Sequence, residues 1–315
     1  MRRAMTTPAP LEPFDVVAAH LATPSDYIRW GASRFAEAGL HFGQGTADAI
    51  DDAAALVFHA LRLPHGAPPH LLAAQLLPDE RRRIHHLLRR RIEERIPSAY
   101  LTGETWFAGL RFVVDPRVLV PRSPIAELIE RAFEPWLAPE TVGRVLDLCT
   151  GSGCIAVACA AAFPAAAVDA TDVSEGALEV AEVNVAQHGL TARVALHRGD
   201  LWADCVPGYD LVIANPPYVD ALEMAALTPE HRHEPALALA AGADGLDLAV
   251  RILREAPRYL AAGGLLCCEV GASAPALEAR FPTVPFTWVE FERGGDGVFV
   301  MSREELVAHA AGLTG

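Results

Sequence analysis

From Val142 onward the chain alternates short apolar runs with helical stretches, and no other feature limits its possible folds so strongly. "RVLDLC" (144–149), "AAVDATDV" (166–173), "RVALHRGD" (193–200), "YDLVIAN" (209–215) and "GGLLCCEVG" (263–271) read as strands. Between them "SEGALEVAEVNVAQHGL" (174–190) and "GLDLAVRILREAPRYL" (245–260) read as helices. Apolar strands alternating with helices predict an α/β fold built on a mostly parallel, doubly wound sheet. The tail "FTWVEFERGGDGVFVMS" (286–302) reads as two strands around a Gly-Gly-Asp-Gly turn, an antiparallel hairpin at the sheet edge.

The earlier part of the chain has a different texture. Residues 1–95 carry helical apolar spacing broken by Gly and Pro, as in "DAIDDAAALVFHALRL" (48–63) and "HLLAAQLLP" (70–78), which predicts four or five helices. "LRFVVD" (110–115) and "RVLV" (117–120) read as short strands around a turn, after which Pro121 and Pro124 open a helix near residue 124. The expected division is a helical domain over 1–98, a β-hairpin linker over 99–122 and the strand–helix domain over 123–315. The 315 residues suffice for that plan.

Composition narrows the function. The apolar fraction of 51% and charged fraction of 21% are those of a globular chain. The alanine-rich run "AVACAAAFPAAAV" is broken by Pro164 and too short to span a bilayer, and the N-terminus has two arginines but no apolar stretch behind them, so no signal peptide is expected. Six cysteines without C-x-x-C pairs or ligand spacing predict no metal site and a reducing, cytoplasmic setting. A net charge of −14 argues against tight binding to naked nucleic acid and favours a small molecule or a basic protein partner. The basic stretch "ERRRIHHLLRRRIEER" (80–95) surrounds an i, i+3, i+4 apolar stripe and reads as a solvated helix face.

The chemistry gathers at strand ends. "VLDLCTGSGCIAVA" puts Gly151 and Gly153 between a strand and a helix, where a ligand can approach the backbone and free N–H groups await it. The same spacing fits a dinucleotide loop, so the neighbouring acids decide. Asp147 lies inside the strand, where a buried acid calls for a cationic or amine-bearing partner. Asp172 ends the next strand, placed to grip ribose hydroxyls, and Asp200 ends the third, placed for an adenine amine. S-adenosylmethionine has the ribose and the ammonium and lacks the pyrophosphate, so it is favoured over NAD.

"VIANPPYVDA" (212–221) then ends the fourth strand in Asn215, Pro216, Pro217 and Tyr218. Two prolines remove two donors and stop the strand. The Asn215 side-chain oxygen and the Pro216 carbonyl can accept the two hydrogens of a flat NH₂ group, and Tyr218 can pack over it. The alternatives are a plain Asn-Pro turn, an NAD-dependent oxidoreductase or a non-enzymatic binding module.

"DLCTGSG", "TDVSEGAL" and "NPPY", in this order, resemble class I methyltransferases that act on planar –NH₂ groups. "YLTGETWFAGLRFVVDPRVLVPRS" and "HEPALALAAGADGLD" resemble the HemK-like protein-glutamine N(5)-methyltransferases more than the nucleic-acid adenine methyltransferases. Enzymes of that family that act on release factors usually carry Pro-Arg-Pro-Glu-Thr-Glu where this chain has "PRSPIAEL" (121–128). The departure resembles the branch that methylates large-subunit ribosomal protein three, with release factors as the alternative substrate. The resemblance implies a Rossmann-like seven-stranded sheet, S-adenosylmethionine as cofactor and a substrate-recognising helical domain. It assigns Asp147, Thr150, Gly151 and Gly153 to the methionine end, Asp172 and Val173 to the ribose, and Asp200 and Leu201 to the adenine. Asn215, Pro216 and Tyr218 become catalytic, Asn215 also touching the cofactor, and all three bind the substrate together with Pro217 and Arg122. Arg122, Ser123 and Pro124 either line the pocket or start a helix, while His233 and Glu234 are structural. No general base is placed.

Overall fold

In the strand–helix part of the chain, consecutive residues of each strand serve opposite cores. Val145, Leu211, Ile213 and Cys267 enter one buried cluster, and their neighbours Leu146, Val212, Ala214 and Cys268 enter another. A strand buried on both faces cannot alternate apolar with polar, which is why these runs are apolar throughout. The computed structural model describes residues 12–64, 66–202 and 204–314. The N-terminal stretch in which no signal peptide is expected therefore lies mostly outside the described residues.

The described residues form two compact units. One runs up to Glu104 and includes Thr228–His233; the other takes Thr105–Leu227 and the chain from Glu234.

The first unit is helical, over Phe14–Ala18, Pro24–Glu37, Ala49–Leu61, Pro69–Leu72, Pro78–Glu93 and Ser98–Thr102. Local signals set these helices. Thr23, the N-cap before Pro24, and Asp26 in the first turn form a capping box, and Asp48 accepts from the Ile50 and Asp51 amides. Tyr27, Phe35, Leu56, Ile84 and Leu88 are fully buried among them. The helical reading of "HLLAAQLLP" holds only to Leu72; beyond it the Leu76 amide bonds the Ala22 carbonyl at 2.8 Å. On the arginine-rich helix, Arg83, Arg89 and Arg90 pair with Asp79, Glu93 and Glu94 one turn away, as a solvated face does. Arg91 points the other way. It is buried, bonds Asp52 at 2.7 Å and lies 3.6 Å from Glu230, which Arg95 also reaches at 3.0 Å.

Strands β1 (Glu104–Phe107) and β2 (Leu110–Val113) form a two-stranded hairpin. Ala108 and Gly109 turn it at φ 46° and 73°, the positive pair that a two-residue hairpin loop requires. The first strand thus precedes "LRFVVD", and "RVLV" is not a strand. There the Arg117 amide bonds the Asp115 carboxylate at 3.0 Å and turns the chain, leaving Val118 and Val120 buried in irregular backbone. A helix follows over Ile125–Glu130.

The main sheet has seven strands: β3 (Arg144–Leu148), β4 (Ala167–Asp172), β5 (Val194–Arg198), β6 (Tyr209–Ala214), β7 (Leu260–Glu269), β8 (Thr287–Trp288) and β9 (Val298–Ser302), in the order β5-β4-β3-β6-β7-β9-β8. β3 to β7 run parallel, and β9 is antiparallel to both β7 and β8. The order reverses at β3, with β4 on one side and β6 on the other, and in sheets of this kind ligands bind outside the carboxyl ends at such a point.

Candidate active site

A cavity of about 280 Å³ opens at those carboxyl ends. Its floor begins with the turn from β3 into the helix Cys154–Ala162. Cys149, Gly151 and Gly153 hold φ of 59°, 55° and 77°. A Cβ on Gly153 would stand 3.1 Å from the Ala181 methyl, so this glycine serves helix packing while Gly151 faces the cavity. The Thr150 amide bonds the Thr171 carbonyl at 3.0 Å and joins the turn to the end of β4.

Asp172 locks the turn from the side, accepting from the Gly151 amide at 2.9 Å and from Ser174 at 2.8 Å. Burial raises its carboxyl above the ordinary range while those amide bonds oppose the shift. Asp147 lies beneath the turn, fully buried. Its Oδ2 accepts from Thr150 Oγ1 at 2.5 Å and from the Ala156 amide at 3.1 Å, and its Oδ1 has no partner among the described residues. Burial pushes this carboxyl up to about 7, against the Thr150 and Ala156 bonds, with the nearby Asp172 charge adding to the rise.

Asn215 stands half-buried where β6 ends, one step past the Ala214–Cys268 register pair, and lines the cavity together with Pro217. Pro216 is buried. Tyr218 turns inward, its Oη donating to Glu269 at 3.0 Å and its carbonyl accepting from Ser273 at 2.9 Å. Burial and the Glu269 charge push its phenol up. The other Glu269 oxygen accepts from Ser123 at 2.5 Å. Arg122 lines the cavity, and both its terminal nitrogens donate to buried Glu234, which also accepts from the Val120 amide.

A family pattern, the methyltransferase small domain, matches residues 131–231. A ribosomal protein uL3 glutamine methyltransferase of Xanthomonas campestris pv. campestris is 51% identical over 295 residues, covering 93% of this chain and 96% of that protein. Proteins of the same description from Bordetella pertussis and Xylella fastidiosa are 49% and 51% identical, covering 91% and 92% of this chain and 97% and 93% of theirs. The chain belongs to this methyltransferase family.

Of the residues singled out in the sequence, Thr150, Gly151, Asp172 and Val173 line one side of the cavity, and Asp200, Leu201, Asn215, Pro217 and Arg122 line the rest. Asp147, Gly153, Pro216 and Tyr218 are not on its wall. Tyr218 therefore does not present its ring to the cavity as expected, because its hydroxyl is held by Glu269 and its ring edge lies against Gly271. The Asp200 carboxylate is exposed and receives both terminal nitrogens of Arg251, at 3.1 and 2.9 Å, which competes with the adenine contact expected of it. Glu234, read as structural, is buried against Arg122, and His233 bonds the Glu94 carbonyl at 2.9 Å.

Two features escaped the sequence reading. Leu119, Leu237 and Leu248 give the cavity an apolar wall, Leu119 from the irregular backbone after the hairpin and Leu248 from the start of the helix Asp247–Tyr259, and no motif at these positions marked them as lining. Asn184 is fully buried, receives the Val113 amide at 2.7 Å, and donates to the Val113 carbonyl at 3.0 Å and the Ser152 carbonyl at 2.9 Å, so one amide ties β2 to the glycine turn. A polar residue on an apolar helix face was the only available signal.

Proposed function

We propose that this chain transfers the methyl group of S-adenosylmethionine to the side-chain amide nitrogen of a glutamine in large-subunit ribosomal protein uL3. Asn215 carries the reading, because it stands at a strand end on the wall of the same cavity as Gly151 and Asp172. The relatives' printed names supply the substrate.

The residues fit the cofactor. Gly151 lines the cavity with open space where a Cβ would stand, and Asp147, beneath the turn, holds the turn from below through Thr150 and the Ala156 amide. Asp172 and Val173 would hold the ribose, and Asp200 and Leu201 the adenine edge. When bound, the cofactor supplies a methyl group activated by a sulfonium charge. The chain's part is to present the acceptor. An amide nitrogen is a poor nucleophile because its lone pair is shared with its carbonyl. Asn215 Oδ1 and the Pro216 carbonyl accept its two hydrogens and hold the nitrogen in one orientation. Both acceptors bind the amide more strongly as positive charge grows on it, which lowers the barrier without tightening the ground state equally. Pro216 and Pro217 fix their own φ, so the carbonyl direction is set before substrate arrives. The helical domain, residues 1–98, is assigned to recognition of the substrate protein, and the net charge of −14 favours a basic one. A ribosomal protein substrate favours a cytoplasmic setting.

The test incubates the chain with methyl-labelled S-adenosylmethionine and, separately, uL3, release factors and DNA. Label in a uL3 glutamine is expected; label only in a release factor or in DNA would replace this substrate. Asn215→Ala should lower kcat by roughly 100-fold or more with cofactor affinity retained, as loss of one preorganised transition-state contact does. Unchanged turnover would end the role given to Asn215.

A further inference from the structure

We propose that Glu269 is the positioning residue for the acceptor loop Asn215–Tyr218, holding Tyr218 on one carboxylate oxygen and Ser123 on the other. Glu269 ends β7 and is 4% exposed. Because Ala214 pairs with Cys268, parallel register brings Asn215 and Glu269 into step at the ends of adjacent strands. Oε1 accepts from Tyr218 Oη at 3.0 Å and Oε2 from Ser123 Oγ at 2.5 Å, while Ser123 Oγ accepts from the Ile125 amide at 3.1 Å. The remaining contacts at Tyr218 point the same way. Its carbonyl is held by Ser273, the Val219 amide bonds Leu239 at 2.9 Å, and a Cβ on Gly271 would fall 2.6 Å from the Tyr218 ring.

This is a clamp with two ends. The sheet holds Ala214, Glu269 holds Tyr218, and the two residues between Asn215 and Tyr218 are prolines with fixed φ. Few soft dihedrals then remain to move the Asn215 amide or the Pro216 carbonyl. A carboxylate is an unfavourable residue to bury for packing alone, since it gives up its hydration, and a phenyl ring in place of the Tyr218 phenol would fill the same space beside Gly271. Two hydroxyl donors on an ionised acceptor give shorter, stronger and more directional bonds than apolar contact does. Burial raises the Glu269 carboxyl, and Ser123, Tyr218 and the charge of Arg122 oppose that rise.

The kinetic part of the test rests on the proposed reaction; the exchange part does not. In the full chain, Glu269→Gln and Tyr218→Phe should each lower kcat by roughly 10- to 100-fold, the loss expected from misplacing reacting groups by about 1 Å. The KM for the acceptor protein and the affinity for the cofactor should stay within about threefold, because neither Glu269 nor Tyr218 lines the cavity. The double variant should lose little more than either single variant. Hydrogen exchange should quicken at the Asn215, Tyr218 and Val219 amides and remain unchanged within β6. A kcat within about twofold of the parent, or unchanged exchange at these amides, overturns the inference. So does a parallel fall of turnover, cofactor affinity and melting temperature, which marks general structural support. If Glu269→Gln does not fold, Tyr218→Phe decides by the same measurements. If the unsubstituted chain methylates nothing, the reaction is wrong and exchange still decides the clamp.

Discussion

Replacing Asp147 by Asn should make the protein more stable above neutral pH while leaving it little changed in acid. The folded carboxyl sits at about 7 against an ordinary value of 3.8, because burial disfavours its charge and only one of its oxygens is satisfied. The folded state thus holds a proton that the unfolded state releases between about pH 4 and pH 7. Stability falls with pH wherever the folded state binds more protons, so the contribution is present below about 4, is lost on rising through about 7, and is flat beyond. A separation of about three pH units, at about 1.4 kcal/mol each, gives an upper bound of about 4 kcal/mol. Asparagine keeps the shape. Its oxygen can accept from Thr150 and Ala156 where Oδ2 does now, and its NH₂ replaces the unpartnered Oδ1. Asp172 and Glu269 are raised as well and slope the same way in both proteins, so the difference between variant and parent isolates Asp147. The assay is urea denaturation from pH 5 to pH 9, comparing midpoints at equal m-values. Parallel curves, or a parent more stable than the variant at pH 9, would refute the burial reasoning.

Asp172→Ala removes the acceptor of the Gly151 and Ser174 amides, so cofactor affinity should drop roughly 10-fold or more by calorimetry; unaltered affinity would retire its assignment to the ribose. Arg91→Ala leaves Asp52 buried without its cation, Glu230 keeping Arg95, and should destabilise the helical unit by about 3–5 kcal/mol in chemical denaturation, whereas a loss under about 1 kcal/mol would mean that the Arg91–Asp52 pair is not desolvated.

What the sequence determined alone is local in its physics. Strand runs apolar on both faces, a glycine turn that needs positive φ, and prolines that stop a strand at Asn215 act through their own backbone and nearest neighbours, so they are legible in a window of ten residues. The main sheet, the turn at Gly151 and the place of Asn215 on the cavity follow from them. Where a competing local bond existed the pattern misled: Asp115 turned the chain ahead of "RVLV", and Ala108–Gly109 moved the hairpin upstream. The partners of the polar groups were decided only by the tertiary structure. Asp147 sits under the cavity and not on it, Asp200 is held by Arg251, and Tyr218 turns away toward a carboxylate. Glu269 and Ser123 are 146 residues apart, and Asn184 and Val113 are 71 apart. A buried polar group must find a partner, but its own sequence neighbourhood does not name it. Only the packing of distant strand ends brings donor and acceptor within 3 Å.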